Sequence, residues 1–124
     1  MSLDYYLESP EYMVDCECEC GHKHQRKTSE TYYSANITHN LNKMAEAAGI
    51  YSALWRPDEI KAEYAEDIIG VLETGLAKLK SDPKYYHQFD SPNGWGLYVH
   101  FVPFVEGILA ACRAYPKAVI RVSI

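Results

Sequence analysis

This chain lacks most of the signals by which a sequence declares a function. No apolar run approaches the roughly 18–20 residues that a membrane-spanning helix needs, so no membrane partner is expected. The start, Met1-Ser2-Leu3-Asp4, has neither a basic cluster nor the apolar core of a secretion signal. Cytoplasmic residence with reduced thiols is the resulting expectation. Positive charge is scarce: 12 Lys and Arg against 17 Asp and Glu leave a formal charge of −5. Proteins that grip nucleic acid backbones need clustered cations, so no nucleic acid partner is expected. Ser, His and Asp are all present, but no G-x-S-x-G nucleophile motif joins them. There is no C-x-x-C redox or zinc-knuckle pair, and there are no internal repeats or low-complexity tracts.

What is present describes an ordinary globular chain. Its 124 residues suffice for one hydrophobic core and suggest a single domain over 1–124. A hydrophobic content of 48% argues against wholesale disorder. Tyrosine is abundant, with 11 copies often in pairs, as suits half-wet surfaces and interfaces, although strands and helix edges use it too.

The character of the chain changes over residues 32–45. Before this stretch, residues alternate or carry cysteines, which predicts strands near 3–8, 11–19 and 31–35, with 23–30 a polar loop or hairpin tip. After it, Ile37, Leu41, Met44, Ala45 and Ala48 share one face of a helix. Asn36 or Thr38 can cap that helix, and Gly49 can close it. Further apolar stripes predict helices over 61–80 and 97–114, the latter interrupted or shifted by Pro103. A short turn of helix fits 83–89. Ile120, Val122 and Ile124 alternate with Arg121 and Ser123, which predicts a closing strand over 118–124. The class is therefore α+β, a small antiparallel sheet of N- and C-terminal strands covered on one face by about three helices. Trp55 and Trp95, each where an irregular link meets a helix, are expected in the core.

The run Asn36-Ile37-Thr38-His39-Asn40-Leu41, then Met44-Ala45, Gly49-Ile50-Tyr51 and Leu54-Trp55-Arg56-Pro57, resembles a group of small uncharacterised proteins from bacteria, prophages and phages. That group shares an N-[IY]-T-x-N start to a helix and an N-G-W-G or similar turn before the last helix. Ser91-Pro92-Asn93-Gly94-Trp95-Gly96 and Leu109-Ala110-Ala111-Cys112 fit the second part. The resemblance covers residues 32–124, implies one small α+β unit, and brings no reaction with it. Its segments contain the candidate contact residues for a ligand or partner: Asn36, His39, Asn40, Arg56, Asn93 and Trp95. Each has a plainer reading. The amides can cap a helix or face solvent, Trp95 can anchor a turn, and Arg56 can pair with a carboxylate.

Cys16-Glu17-Cys18-Glu19-Cys20-Gly21-His22-Lys23-His24 is the strongest chemical signal, and it lies outside the resemblance. Zinc prefers thiolate and imidazole, so Cys16, Cys18, Cys20, His22 and His24 are candidate ligands. Alternate residues on one strand sit about 6.6–6.8 Å apart, too far for a single strand to wrap a metal. The ligands must therefore come from both sides of a turn at Gly21, with Cys16 or Cys112 as a possible fourth. The plainer alternative is a polar strand with free, oxidisable thiols. His39, His87 and His100 are scattered, with no carboxylate at a diagnostic offset.

Three functions remain in view. The first is a non-enzymatic interaction or accessory protein of prophage or phage type, engaging a protein partner or itself. The second is a small zinc-binding domain built on residues 16–24. The third is an enzyme with a pocket formed by the Asn36/His39/Asn40 and Asn93/Trp95 regions.

Overall fold

Among the described residues five strands, β1 (Ser2–Glu8), β2 (Tyr12–Glu17), β3 (Lys23–Thr28), β4 (Thr31–Thr38) and β5 (Val119–Ser123), form two antiparallel sheets. This computed structural model describes residues 2–17, 23–94 and 96–124, with side chains for all of these except 14–17, 23–27 and 39. β1 shows why the larger sheet forms. Leu3, Tyr5 and Leu7 are wholly buried, while Asp4, Tyr6 and Glu8 between them are half-exposed, the period-2 signature of a strand with one face on the core. β1 is central, flanked by β4 and β5. Its inward residues pair with Ile37, Ala35 and Tyr33 on one side, and Tyr5 and Leu7 pair with Val122 and Ile120 on the other.

The smaller sheet prolongs the larger one. The β1–β4 ladder ends at Glu8↔Thr31, and the β2–β3 ladder resumes at Tyr12↔Thr28. Tyr32 bulges out of the register between Tyr33 and Thr31, an extra residue of the kind that bends a ribbon. Ser9 ties the junction: its N–H donates to the Glu30 carbonyl at 2.7 Å, and its hydroxyl accepts the Glu30 N–H at 2.8 Å.

Among the described residues there are five α-helices: α1 (Asn42–Ala47), α2 (Tyr51–Trp55), α3 (Ile69–Ser81), α4 (Pro83–His87) and α5 (Tyr98–Ala114). α5 packs on β4 and α3 packs on α5, so helices cover the inner face of the sheet. The approach of α5 to the sheet is close: a Cβ on Gly107 would come within 2.5 Å of the Tyr33 hydroxyl. Phe101, Val105, Ile108 and Cys112 of α5 meet Leu3, Tyr5 and Leu7 in one core with Leu41, Met44, Leu54, Trp55, Leu72 and Leu79. The Tyr5 hydroxyl is satisfied inside it by the Ala53 carbonyl at 3.0 Å, as a buried polar group must be. The fold is α+β, as the sequence indicated. No helix among the described residues is long and apolar enough to cross a membrane.

Several boundaries differ from the sequence reading, each for a visible reason. The first helix does not begin at Ile37. β4 continues through Thr38, because Tyr33, Ala35 and Ile37 also alternate, and Ile37 is the last inward residue, opposite Leu3. Asn36 therefore stays within the strand, while the Thr38 hydroxyl accepts the Asn40 N–H at 3.5 Å, at the start of the turn that follows. A 3₁₀ turn (His39–Leu41) leads instead into α1, whose N-cap, Leu41, makes no side-chain capping bond. Gly49, at φ 78, closes α1 and separates it from α2. The helix expected from residue 61 begins only at Ile69. A 3₁₀ turn (Pro57–Ile60) ends at Lys61 in the left-handed region, and the next residues run extended so that Tyr64 bridges Val119. Asp67 accepts the Glu63 and Tyr64 N–H groups at 3.1 and 2.9 Å, which fixes this detour. Residues 23–28, read as part of a polar loop or hairpin tip, form β3, paired antiparallel with β2; their sequence has no apolar alternation to announce a strand. Pro103 sits inside α5. The carbonyl it leaves unbonded is that of Val99, on an exposed turn where water can serve it.

Candidate functional site

The site is assembled from two segments about fifty residues apart. The first is the end of β4 and the turn after it. Asn36 and Thr38 lie on the outer, polar face opposite Asp4 and Ser2, and Asn40 and Asn42 follow as the chain turns into α1. The Asn36 amide donates to Asp4 Oδ1 at 2.5 Å, so its orientation is set by the neighbouring strand. The second segment links α4 to α5, and Asp90 organises it. One carboxylate oxygen pairs with His87 Nδ1 at 2.8 Å, and the other accepts the Tyr98 N–H at 2.7 Å, at the first turn of α5. Partial burial acts to raise the Asp90 carboxyl. The His87 hydrogen bond, the Tyr98 N–H and the His87 charge outweigh it, leaving Asp90 below the usual carboxylate range.

Between Asp90 and α5 the chain folds back on itself. The Ser91 N–H donates to the Gly96 carbonyl at 3.0 Å, and the Gly94 N–H donates to the Ser91 carbonyl at 3.1 Å. Gly94 (φ 76) and Gly96 (φ 116) take backbone conformations that favour glycine. Gly96 also provides the contact that joins the two segments. A Cβ there would lie 3.0 Å from Asn40 Cβ and 3.2 Å from Thr38 Cγ2, so only glycine lets the turn press against the end of β4 without displacing it.

The result is a crevice of ≈ 1060 Å³ with Asn36, Thr38, Asn40, Asn42, Gln88 and Asp90 in its walls. A smaller hollow of ≈ 350 Å³ shares Asn36 and Thr38 and continues past Gly94 and Gly96 to His100. Lys43 and Asp90 are the charged residues in the larger space, and amides supply most of the remaining polar groups. Each amide offers both donors and an acceptor. Such a wall can match an uncharged partner rich in hydroxyls or amides.

The sequence candidates divide accordingly. Asn36 and Asn40 line the crevice, and Asn93 lies in the turn beside it, where its side-chain oxygen accepts from the Ser91 hydroxyl at 2.5 Å. His39 lies in the turn between Thr38 and Asn40. Trp95 lies outside the described residues. Arg56 does not join the group: it lines a separate groove of ≈ 710 Å³ beside β5, with Trp55, Pro57 and Tyr64. Trp55 itself is 2% exposed, in the core as expected. The His87–Asp90 pair is a feature that the sequence reading missed. Its signal was the i,i+3 spacing across the end of α4, which becomes a contact once the chain turns there.

Of the cysteine–histidine candidates, Cys18, Cys20 and His22 lie outside the described residues. Cys16 and His24 occupy directly opposed register positions on β2 and β3. Among the described residues, no group of three or more His, Cys, Asp or Glu is placed to hold a metal ion. Cys112, weighed as a possible fourth ligand, is wholly buried in α5, and burial pushes its thiol up to about 12. A buried, protonated thiol packs as a small apolar group.

Fold and site together define a small α+β domain with a polar, largely uncharged crevice at the joint between sheet and helices. The chain matches no family model, no curated protein and no solved structure.

Proposed function

We propose that this is a non-enzymatic interaction or accessory protein of the phage-associated kind, and that the amide-lined crevice is where it holds its ligand or partner. One observation carries the reading. The two segments that resemble the phage-associated group, 36–41 and 91–96, are distant in sequence yet meet through Gly96 at the walls of one crevice. The wall chemistry suits binding: amides hold a neutral polar group by many modest hydrogen bonds. Site-directed crosslinking tests it. A photoreactive side chain at Asn42 should give a discrete adduct in cells that contain the protein, and Asn40→Ala should reduce its yield several-fold. The same group at exposed Ala110 on α5 should give none. Equal yields from both positions, or none from either, would contradict the proposal.

A second reading has its own support. The register that sets Cys16 opposite His24 places two candidate ligands on separate strands, and five residues, Cys18 to His22, connect Glu17 to Lys23. Ligands drawn from two strands, unlike ligands on one, could reach a single metal ion. Thiolate ligation releases protons, so zinc retention should weaken as pH falls. Elemental analysis of protein purified under reducing conditions should find near-stoichiometric zinc that Cys16→Ser lowers. Metal-free protein that takes up none on addition would remove this reading.

A further inference from the structure

Asn93-Gly94 is the only Asn-Gly pair in the chain; Asn36, Asn40 and Asn42 are followed by Ile37, Leu41 and Lys43. Glycine matters in second place because a backbone nitrogen with no side chain beside it is free to approach the preceding side-chain amide carbon. The pair lies on an exposed turn. Pro92, Asn93 and Gly94 all face solvent, and a Cβ on Gly94 would meet nothing within 4 Å. The turn is a β-turn with Ser91 first, Pro92 second and Gly94 fourth, the residues such turns favour, closed by the Gly94 N–H bond to the Ser91 carbonyl. Within it the Ser91 hydroxyl donates to Asn93 Oδ1 at 2.5 Å. The other asparagines sit in regular structure: Asn36 in β4, Asn40 in the 3₁₀ turn and Asn42 in α1. There the backbone is fixed and its nitrogen cannot swing toward the side chain.

We infer that Asn93 is a self-modifying site, at which the Gly94 backbone nitrogen displaces the side-chain amide and leaves a carboxylate in the turn. The Gly94 nitrogen gives its proton to hydroxide and bonds to Asn93 Cγ. The Cγ–Nδ2 bond breaks, and the departing nitrogen takes a proton from water and leaves as ammonia. The product is a cyclic imide, which water opens in either of two ways. Addition at Cγ breaks the new C–N bond and gives aspartate. Addition at the main-chain carbonyl carbon of residue 93 breaks the original peptide C–N bond and gives isoaspartate, with the chain now running through the side-chain carbons. One water is consumed and one ammonia released, and no oxidant or cofactor is needed. As the ring closes, negative charge gathers on Oδ1, where the Ser91 hydroxyl already donates and stabilises it. The Gly94 N–H bond to Ser91 must open first, and exposed loops open at little cost. Either product adds a charge to the turn that begins at Asp90. Isoaspartate also lengthens the backbone between Ser91 and Gly96, which are joined by a 3.0 Å hydrogen bond and set against Asn40 and Thr38. The chemistry is independent of whether the crevice holds a ligand.

The full chain, aged in mildly alkaline buffer and then digested, tests it. Mass spectrometry with chromatographic separation of aspartyl and isoaspartyl peptides reads each asparagine in one experiment. Conversion should appear at Asn93 several-fold faster than at Asn36, Asn40 or Asn42, in both product forms, and should quicken as hydroxide increases. Ser91→Ala should slow it several-fold, with hydrogen exchange of the Gly94 amide recorded alongside to correct for any loosening of the turn. A free peptide spanning Asp90 to Leu97 that converts while Asn93 of the folded chain does not would overturn the proposal, by showing that the turn holds the Gly94 nitrogen out of reach. Equal conversion at all four asparagines would overturn it as well. An unchanged rate in Ser91→Ala, after that correction, would overturn the role of the hydroxyl.

Discussion

Two glycines of α3, five residues apart, should respond to alanine with opposite signs. Alanine in a helix interior is favoured over glycine by about 0.8–1.0 kcal/mol. At Gly70 a new Cβ meets nothing within 4 Å, so Gly70→Ala should gain up to about 1 kcal/mol. At Gly75 the Cβ would lie 2.1 Å from Ile50 Cγ2 and 3.2 Å from the Ala48 carbonyl oxygen. Carbon atoms settle at about 3.5–4.0 Å, so Ile50 must move by more than an ångström. Ile50 is wholly buried in the link between α1 and α2, and its neighbours are core residues. Overpacking of this kind costs about 1–3 kcal/mol, which exceeds the helix gain at most of that range. A net loss of up to about 2 kcal/mol is expected for Gly75→Ala, from the overpacking cost less the propensity gain. Urea unfolding followed by circular dichroism reads both variants in one experiment, and the two midpoints should fall on opposite sides of wild type. Gly75→Ala at or above wild-type stability would refute the packing of α3 on the α1–α2 link.

Two further outcomes follow from the same structure. Trp55→Ala should lose about 3–5 kcal/mol, the range for emptying a core aromatic site, measurable by thermal unfolding; a loss under about 1 kcal/mol would place Trp55 at the surface. Asp67 should matter in a pH-dependent way. The Tyr64 and Glu63 N–H groups hold its carboxyl below the ordinary range, against a slight opposing effect of burial, with help from Lys117. A depressed folded-state value gives stability that is present above the unfolded value, near ~3.9, and is lost as pH falls through the folded one. Asp67→Ala should therefore be less stable than wild type at neutral pH, with the gap narrowing below about pH 4; a gap independent of pH would contradict the assignment.

The sheet was legible because β1 and β5 obey strict alternation, which one-sided burial imposes on a sequence. The joint at 36–42 was harder, since Ile37 satisfies a strand period and a helix period at once. Only its pairing with Leu3, a contact across more than thirty residues, decides between them. The same holds for Tyr64, which fits the apolar stripe of a helix but pairs with Val119. β3 left no pattern to read, because its sequence, Lys23-His24-Gln25-Arg26-Lys27-Thr28, holds no apolar residue to alternate. Of the site, the amide-rich segment and the glycine turn were each visible. Their meeting was raised only as the pocket of the enzyme reading, and nothing in local sequence records the contact that makes it, Gly96 against Asn40. Arg56 was grouped with them because it belongs to another resembling segment, residues 54–57, and the 3₁₀ turn at Pro57 carries it to the β5 groove instead.

Uncharged polar ligands should bind in the amide-lined crevice. Isotope-labelled protein titrated with a panel of neutral saccharides, nucleosides and short peptides can be followed by its amide and side-chain NMR resonances. The account predicts shifts concentrated at Asn36, Thr38, Asn40, Asn42 and residues 88–96, abolished by Gly96→Ala while Tyr5 and Leu109 in the core keep their resonances. Shifts that gather along β5 and Arg56, or that persist unchanged in Gly96→Ala, would contradict it.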